Sequence, residues 1–263
     1  MKKSLWNRFF QGRQPKPFSA WQIELTTRCP LWRKMCCREG NHSMSRKDMT
    51  LEDFQKILPY LRQVESVVLE GWGESLLHLR LIEIIRLVRN EGARVGFVTS
   101  GMTLTDDYVL ELVQAGTDFI GFSLSGAMAE THDSIRVNSH LSKLMDHIRR
   151  FQEIKVRLKT SLPRLHIVYL LLKNNIAELP ILIRLAKDLG IGEIILIHMA
   201  LISNAWQEGQ RIFAREETEK YERILTEAGK MARSLKISLR RPSLAPGMRR
   251  SARKTPYRTC ISR

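Results

Sequence analysis

Six times along this chain a short apolar run of strand length is followed by a segment of helix length, and that repeat restricts the fold more than any other feature. The runs are residues 21–26, 66–70, 94–99, 118–124, 164–172 and 193–198. A helix is predicted over 50–58, where Thr50 can cap and Leu51, Phe54, Ile57 and Leu58 fall at helical spacing. Residues 79–89 place Leu81, Ile84, Ile85 and Val88 on one side. Residues 105–114 open with Thr105 as cap and Asp106 and Asp107 near the positive end of the helix dipole. Further helices are predicted over 141–151, 176–189 and 216–235. Repeated strand–helix units imply parallel strands with helical crossovers, hence an α/β fold. An open doubly wound sheet and a barrel share this periodicity, and both carry their chemistry at the C-terminal ends of the strands.

The chain has 263 residues, 43% of them hydrophobic, enough for one sizeable core. No apolar run approaches the roughly 18 residues that a membrane span needs. The basic N-terminus is not followed by the apolar stretch of a signal peptide, so the expected location is cytoplasmic. Three of the four cysteines lie within residues 29–37, which reads as metal ligation rather than disulfide bonding. The net charge of +16 is concentrated in residues 2–16 and 240–258. Such ends can meet nucleic acid or an anionic surface. Solvated termini are the favoured reading, because the charges are not interleaved with aromatic residues.

The unusual residues cluster at the strand ends. After the first run come Cys29, Arg33, Met35, Cys36 and Cys37. After the second comes Glu70-Gly71-Trp72-Gly73-Glu74, with Glu74 lying 38 positions beyond Cys36. Thr99-Ser100-Gly101 closes the third run and Ser123-Leu124-Ser125-Gly126 the fourth, followed by the stretch from Thr131 to Arg136. His198-Met199 closes the sixth. Glycines let a backbone approach a ligand, a carboxylate pairs with an ammonium, and an arginine grips a carboxylate with two bonds. Taken singly, most of these motifs are turns and caps; their order along successive strand ends is the stronger signal.

Together they resemble the radical S-adenosylmethionine (SAM) family. The resemblance covers roughly residues 21–201 and implies a partial (β/α)6 TIM-like barrel. It implies a [4Fe–4S] cluster on a Cys-x3-Cys-x2-Cys loop, with Cys29 and Cys36 as metal ligands here. It also implies SAM, cleaved by an electron from the cluster to a 5′-deoxyadenosyl radical, and hence a reductant such as ferredoxin or flavodoxin. By the same resemblance Met35 sits against the adenine. Gly71, Gly73 and Glu74 hold the SAM amino group, Ser123, Ser125 and Arg136 bond its carboxylate or ribose, and His198-Met199 can line the adenine pocket. No catalytic residue is assigned.

Arg33 departs from the pattern at the middle cysteine. A guanidinium does not ligate iron, and Cys37, adjacent to Cys36, is an awkward substitute, so impaired cluster binding and loss of activity are expected. Residues 256–260 resemble the start of a SPASM or twitch extension, which would make the substrate a peptide or protein; the extension reads as truncated, with Cys260 an orphan. The expected organisation is a basic arm (1–18), a core domain (19–240) and the start of that extension (241–263). A second reading is a non-catalytic barrel that binds SAM, a partner protein or RNA. A zinc site on Cys29, Cys36 and Cys37 ranks last, for want of a fourth ligand.

Overall fold

The computed structural model describes residues 16–36, 38, 46–199, 201–212 and 217–242. Cys37, Cys260, the basic arm through residue 15 and the expected extension from residue 243 lie outside the described residues.

Seven strands form one parallel sheet curled into a half-barrel. In spatial order they are β1 (Phe18–Gln22), β3 (Val64–Val68), β4 (Arg94–Thr99), β5 (Phe119–Leu124), β7 (Arg164–Leu170), β8 (Glu193–Ile197) and β9 (Ser238–Arg240). A separate antiparallel pair joins β2 (Trp32–Arg33) to β6 (Arg136–Val137). The crossovers carry α1 (Leu51–Leu61), α2 (Leu81–Asn90), α3 (Asp106–Gln114), α4 (Ala129–Ile135), α5 (Leu141–Arg157), α6 (Leu179–Asp188), α7 (Ala205–Gly209) and α8 (Thr218–Ser234).

All six expected strands are present, and β9 adds a seventh at the edge that the sequence reading lacked. The first two strands begin and end earlier than expected, at Phe18–Gln22 and Val64–Val68, so the segments that follow them are free to turn toward the barrel mouth. Thr50 and Thr105 act as the expected caps, accepting bonds from the Asp53 and Tyr108 amides. The first helix runs past Pro59 to Leu61, with the proline confined to its last turn. No helix among the described residues is long and apolar enough to cross a membrane.

Strand alternation separates two faces. Val95, Phe97, Ile120, Phe122, Ile167 and Tyr169 point toward the helices and are fully buried in the main core. Gly121 and Ser123 lie on the opposite, concave face, paired in register with His166 and Val168. A Cβ at Gly121 would collide with the His166 ring, so the glycine is what admits an imidazole to the concave face. Burial holds the pKa of His166 below its ordinary 6.5.

Candidate functional site

The loops after β1, β3, β4 and β5 meet at one end of the half-barrel, and buried polar groups join them. The Glu74 amide donates to the Arg28 carbonyl at 2.8 Å, tying the turn after β3 to the segment that leads into Cys29. Arg28 in turn forms a two-pronged ion pair with Asp48, at 2.9 and 2.6 Å, and donates to the Leu77 carbonyl. That guanidinium holds the Asp48 carboxyl below its usual range, with a bond from the Thr26 hydroxyl acting in the same direction.

Residues 71–74 wrap around the continuation of β1. The Glu24 carboxylate accepts from the amides of Trp72 and Gly73. A Cβ at Gly71 would overlap that carboxylate, and one at Gly73 would overlap the Thr26 carbonyl. The room these glycines leave is therefore taken by the chain's own β1 segment. Glu24 went unnoticed in the sequence because its partners lie 48 and 49 positions away.

Glu74 is buried, and its carboxylate faces the end of β4. One oxygen accepts from the Thr99 hydroxyl at 2.7 Å and the Leu76 amide at 3.4 Å; the other accepts from the amide and hydroxyl of Ser100, at 2.9 and 2.7 Å. Thr99 and Ser100 thus form a rigid seat for the one acidic group that the strand-end pattern singled out. Glu70, at the start of the same turn, has its carboxyl pushed up to about 7 by burial, with Arg33 opposing and Glu74 reinforcing that rise.

At the end of β5, Ser125 is fully buried and its hydroxyl accepts from Arg136 Nε at 2.8 Å. The Ser125 amide donates to His132 Nδ1 at 3.3 Å, so His132 Nε2 carries the proton and bonds the Ser139 hydroxyl at 3.0 Å. Burial, followed by the charge of Arg136, lowers His132 to about 3, and the ring stays neutral. The turn is held from the far side as well. The Asn175 amide nitrogen donates to the Ser125 carbonyl at 2.8 Å, and the Glu178 carboxylate accepts from the amides of Ala127 and Met128 and from the Thr131 hydroxyl.

Arg136 is only 5% exposed. Its Nε bonds Ser125, its Nη nitrogens have no protein acceptor among the described residues, and no carboxylate there lies within ion-pair distance. Burial and the nearby Arg33 push its pKa down to about 9, while Cys29, Glu74 and Cys36 oppose the fall. A buried guanidinium with free donors and only a distant carboxylate is suited to an anionic ligand group.

Cys29 and Cys36 are free, half-buried thiols at this end of the barrel. Between them Arg33 donates through Nη2 to the Trp72 carbonyl at 2.8 Å and to Cys36 Sγ at 3.6 Å. The Lys34 carbonyl accepts from the buried Gln207 of α7, a support from 173 positions downstream that no local signal announced. Met35 packs with Ile135, Leu170, Leu172, Met199 and Trp206 in a small apolar cluster, while His198 stands exposed just beyond β8. Ser123 is half-buried on the concave face. The structure therefore gathers Cys29, Cys36, Gly71, Gly73, Glu74, Ser125 and Arg136 around one mouth, with Met35 beside it in apolar contact.

The loop offers two thiols among the described residues, Cys29 and Cys36. Among the described residues no group of three or more His, Cys, Asp or Glu side chains could hold a metal ion. Arg33, between these two thiols in the sequence, lies within hydrogen-bond reach of one of them, Cys36.

A profile of the Radical SAM superfamily matches residues 23–186. The tungsten-containing aldehyde ferredoxin oxidoreductase cofactor-modifying protein of Pyrococcus furiosus is 26% identical over 174 residues, 64% of this chain and 48% of that protein. The PqqA peptide cyclase of Bradyrhizobium diazoefficiens is 25% identical over 170 residues, 64% of this chain and 43% of that one. The chain thus spans about half the length of these curated relatives. The crystal structure of Streptococcus suis SuiB bound to S-adenosylmethionine superposes with a TM-score of 0.69 at 12% identity, covering 87% of this chain and 51% of that one, a likeness of fold.

Proposed function

This chain belongs to the radical SAM superfamily, and from that premise we propose that it binds S-adenosylmethionine at the mouth of the half-barrel through the methionyl end of the ligand. The observation that carries this reading is Arg136, buried to 5% exposure with its Nη donors unused. It suits the ligand carboxylate. Glu74, seated by Thr99 and Ser100, supplies the negative field for the ammonium. Ser125 orients Arg136 and thereby acts as a positioning residue.

Impaired iron–sulfur chemistry is part of this reading, supported by the two described thiols standing beside a guanidinium where a cluster needs three thiolates. The favoured state of the chain as it stands is a SAM-binding member without reductive cleavage. The peptide class remains the proposed partner, supported by the peptide cyclase among the relatives, and a ferredoxin- or flavodoxin-type reductant would matter only to a cluster-bearing form. Residues 1–18 and 241–263 are proposed as segments outside the SAM-binding core.

Calorimetric titration of SAM into the wild type and Arg136→Gln tests the reading. A lost bond to a charged group costs about 1.5–3 kcal/mol, roughly a 10- to 100-fold loss of affinity. Equal affinity in the two proteins removes Arg136 from the site. Anaerobic reconstitution with iron and sulfide provides the second arm, and near-complete loading of the wild type would restore the enzymatic reading.

A further inference from the structure

Arg33 and Arg136 are direct partners across the antiparallel pair of β2 and β6. Side chains at directly opposed positions leave the ladder on the same face, and like charges placed so oppose each other. The effect is visible at Arg136, where Arg33 adds to burial in lowering the pKa. Two guanidiniums leaving one face of this ladder favour an anion between them, and the carboxylates among the described residues supply little. Glu74 spends its carboxylate on four donors from residues 76–100. Glu70 has its carboxyl pushed up to about 7 by burial. Neither forms an ion pair with either arginine.

The unused donors point the same way. Arg33 Nε is buried without any hydrogen-bond partner, while its Nη2 is anchored on the Trp72 carbonyl and on Cys36 Sγ. Arg136 is anchored through Nε on Ser125 and keeps its Nη nitrogens free. Each guanidinium is thus anchored through one nitrogen and keeps other N–H groups without an acceptor among the described residues. Fixed forks of this kind match the oxygens of a carboxylate or phosphate, and holding them in advance reduces the ordering cost of binding.

We propose that Arg33 and Arg136 together form a clamp for a single oxyanion, a carboxylate or phosphate group, so that the arginine in the cysteine loop is a ligand-binding residue in its own right. The clamp occupies the same mouth as the SAM reading, but it does not need SAM. Its oxyanion is either the carboxylate of SAM itself or an acidic group on a second molecule.

Inorganic phosphate is the probe, titrated calorimetrically into the full chain against a chloride blank of matched ionic strength. Because the net charge of +16 attracts anions everywhere, Arg149→Gln, an exposed arginine of α5, serves as the control. Arg33→Gln and Arg136→Gln are each expected to weaken phosphate binding about tenfold or more, Arg33→Lys a few-fold, and Arg149→Gln not at all. Circular dichroism melts confirm that each variant folds; Arg33→Lys keeps the charge and carries the test if Arg33→Gln does not. Phosphate affinity unchanged by substitution of Arg33, or reduced equally by Arg149→Gln, overturns the proposal. Repeating the titration with saturating SAM separates the sources: displacement assigns the oxyanion position to the SAM carboxylate, and undiminished phosphate binding assigns it to a second molecule. If SAM does not bind at all while phosphate still requires both arginines, the SAM reading fails and the clamp stands.

Discussion

Glu74→Ala should destabilise the protein as well as its ligand site, and the size of the effect follows from what the carboxylate holds. Alanine removes the acceptor for the Thr99 hydroxyl, the Ser100 hydroxyl and the Ser100 amide, plus a long bond from the Leu76 amide. The hydroxyls can rotate toward other acceptors, so each loses about 1 kcal/mol, whereas the Ser100 amide is fixed and, left buried without a partner, costs about 1–3 kcal/mol. The sum is about 3–5 kcal/mol, a large part of the 5–15 kcal/mol that typically separates folded from unfolded domains. Glu74→Gln keeps the volume and one carbonyl oxygen. With its amide turned toward the Thr99 hydroxyl, which can accept, it should lose only about 1–2 kcal/mol. Equilibrium urea unfolding reads both directly, with a shift of about 1 M or more in the midpoint expected for alanine. Alanine within about 1 kcal/mol of the wild type, or glutamine as damaging as alanine, would refute the view that Glu74 is the acceptor that seats the β4 end.

Three further outcomes are expected. Glu70 has a folded pKa of about 7 against an ordinary 4.5, so the folded state holds the extra proton between those values and stability falls as pH rises through that window; Glu70→Gln should melt progressively higher than the wild type from pH 5 to 8, and parallel melting curves would contradict this. His132, lowered to about 3 against an ordinary 6.5, contributes stability that is lost as pH falls below 6.5; long-range nitrogen–proton NMR at pH 5 should show a neutral ring protonated at Nε2, and an imidazolium spectrum would refute it. Arg33→Cys should raise iron bound per chain after anaerobic reconstitution and permit formation of 5′-deoxyadenosine under dithionite; no gain in iron would mean that the loop, deprived of its bond to the Trp72 carbonyl, does not wrap a cluster.

The parallel half-barrel was legible because its strands are apolar and its helices amphipathic over ten or so residues. Elements without such a run escaped. β9 carries one apolar residue, Leu239, between two polar ones, and β2 exists only because β6, about a hundred positions away, pairs with it. α4 begins Ala129-Glu130-Thr131-His132 and offers no clear apolar stripe. In the site, Glu74 and Ser125 were visible because each follows closely on a strand end, and Arg136 because the stretch from Thr131 resembles a family motif. Glu24, Asn175, Glu178 and Gln207 were not, since each acts on a backbone 48 to 173 positions distant. The glycines at 71 and 73 were noticed for their chemistry of close approach, but what approaches them is Glu24 and the Thr26 carbonyl.

The tethers from Asn175 and Glu178 bear on how the molecule could be divided. A fragment ending before β7 would keep β1, β3, β4 and β5 hydrogen-bonded to one another, with most of the helices that cover them. Yet the turn of residues 125–128 would lose both of its downstream anchors, and Arg136 would hang from a serine no longer held in place. The strand framework of the N-terminal portion is separable in principle, but its binding end is not. Any split, permutation or domain insertion that parts residue 125 from residues 175–178 should therefore spare the pairing of β1, β3, β4 and β5 and abolish ligand recognition.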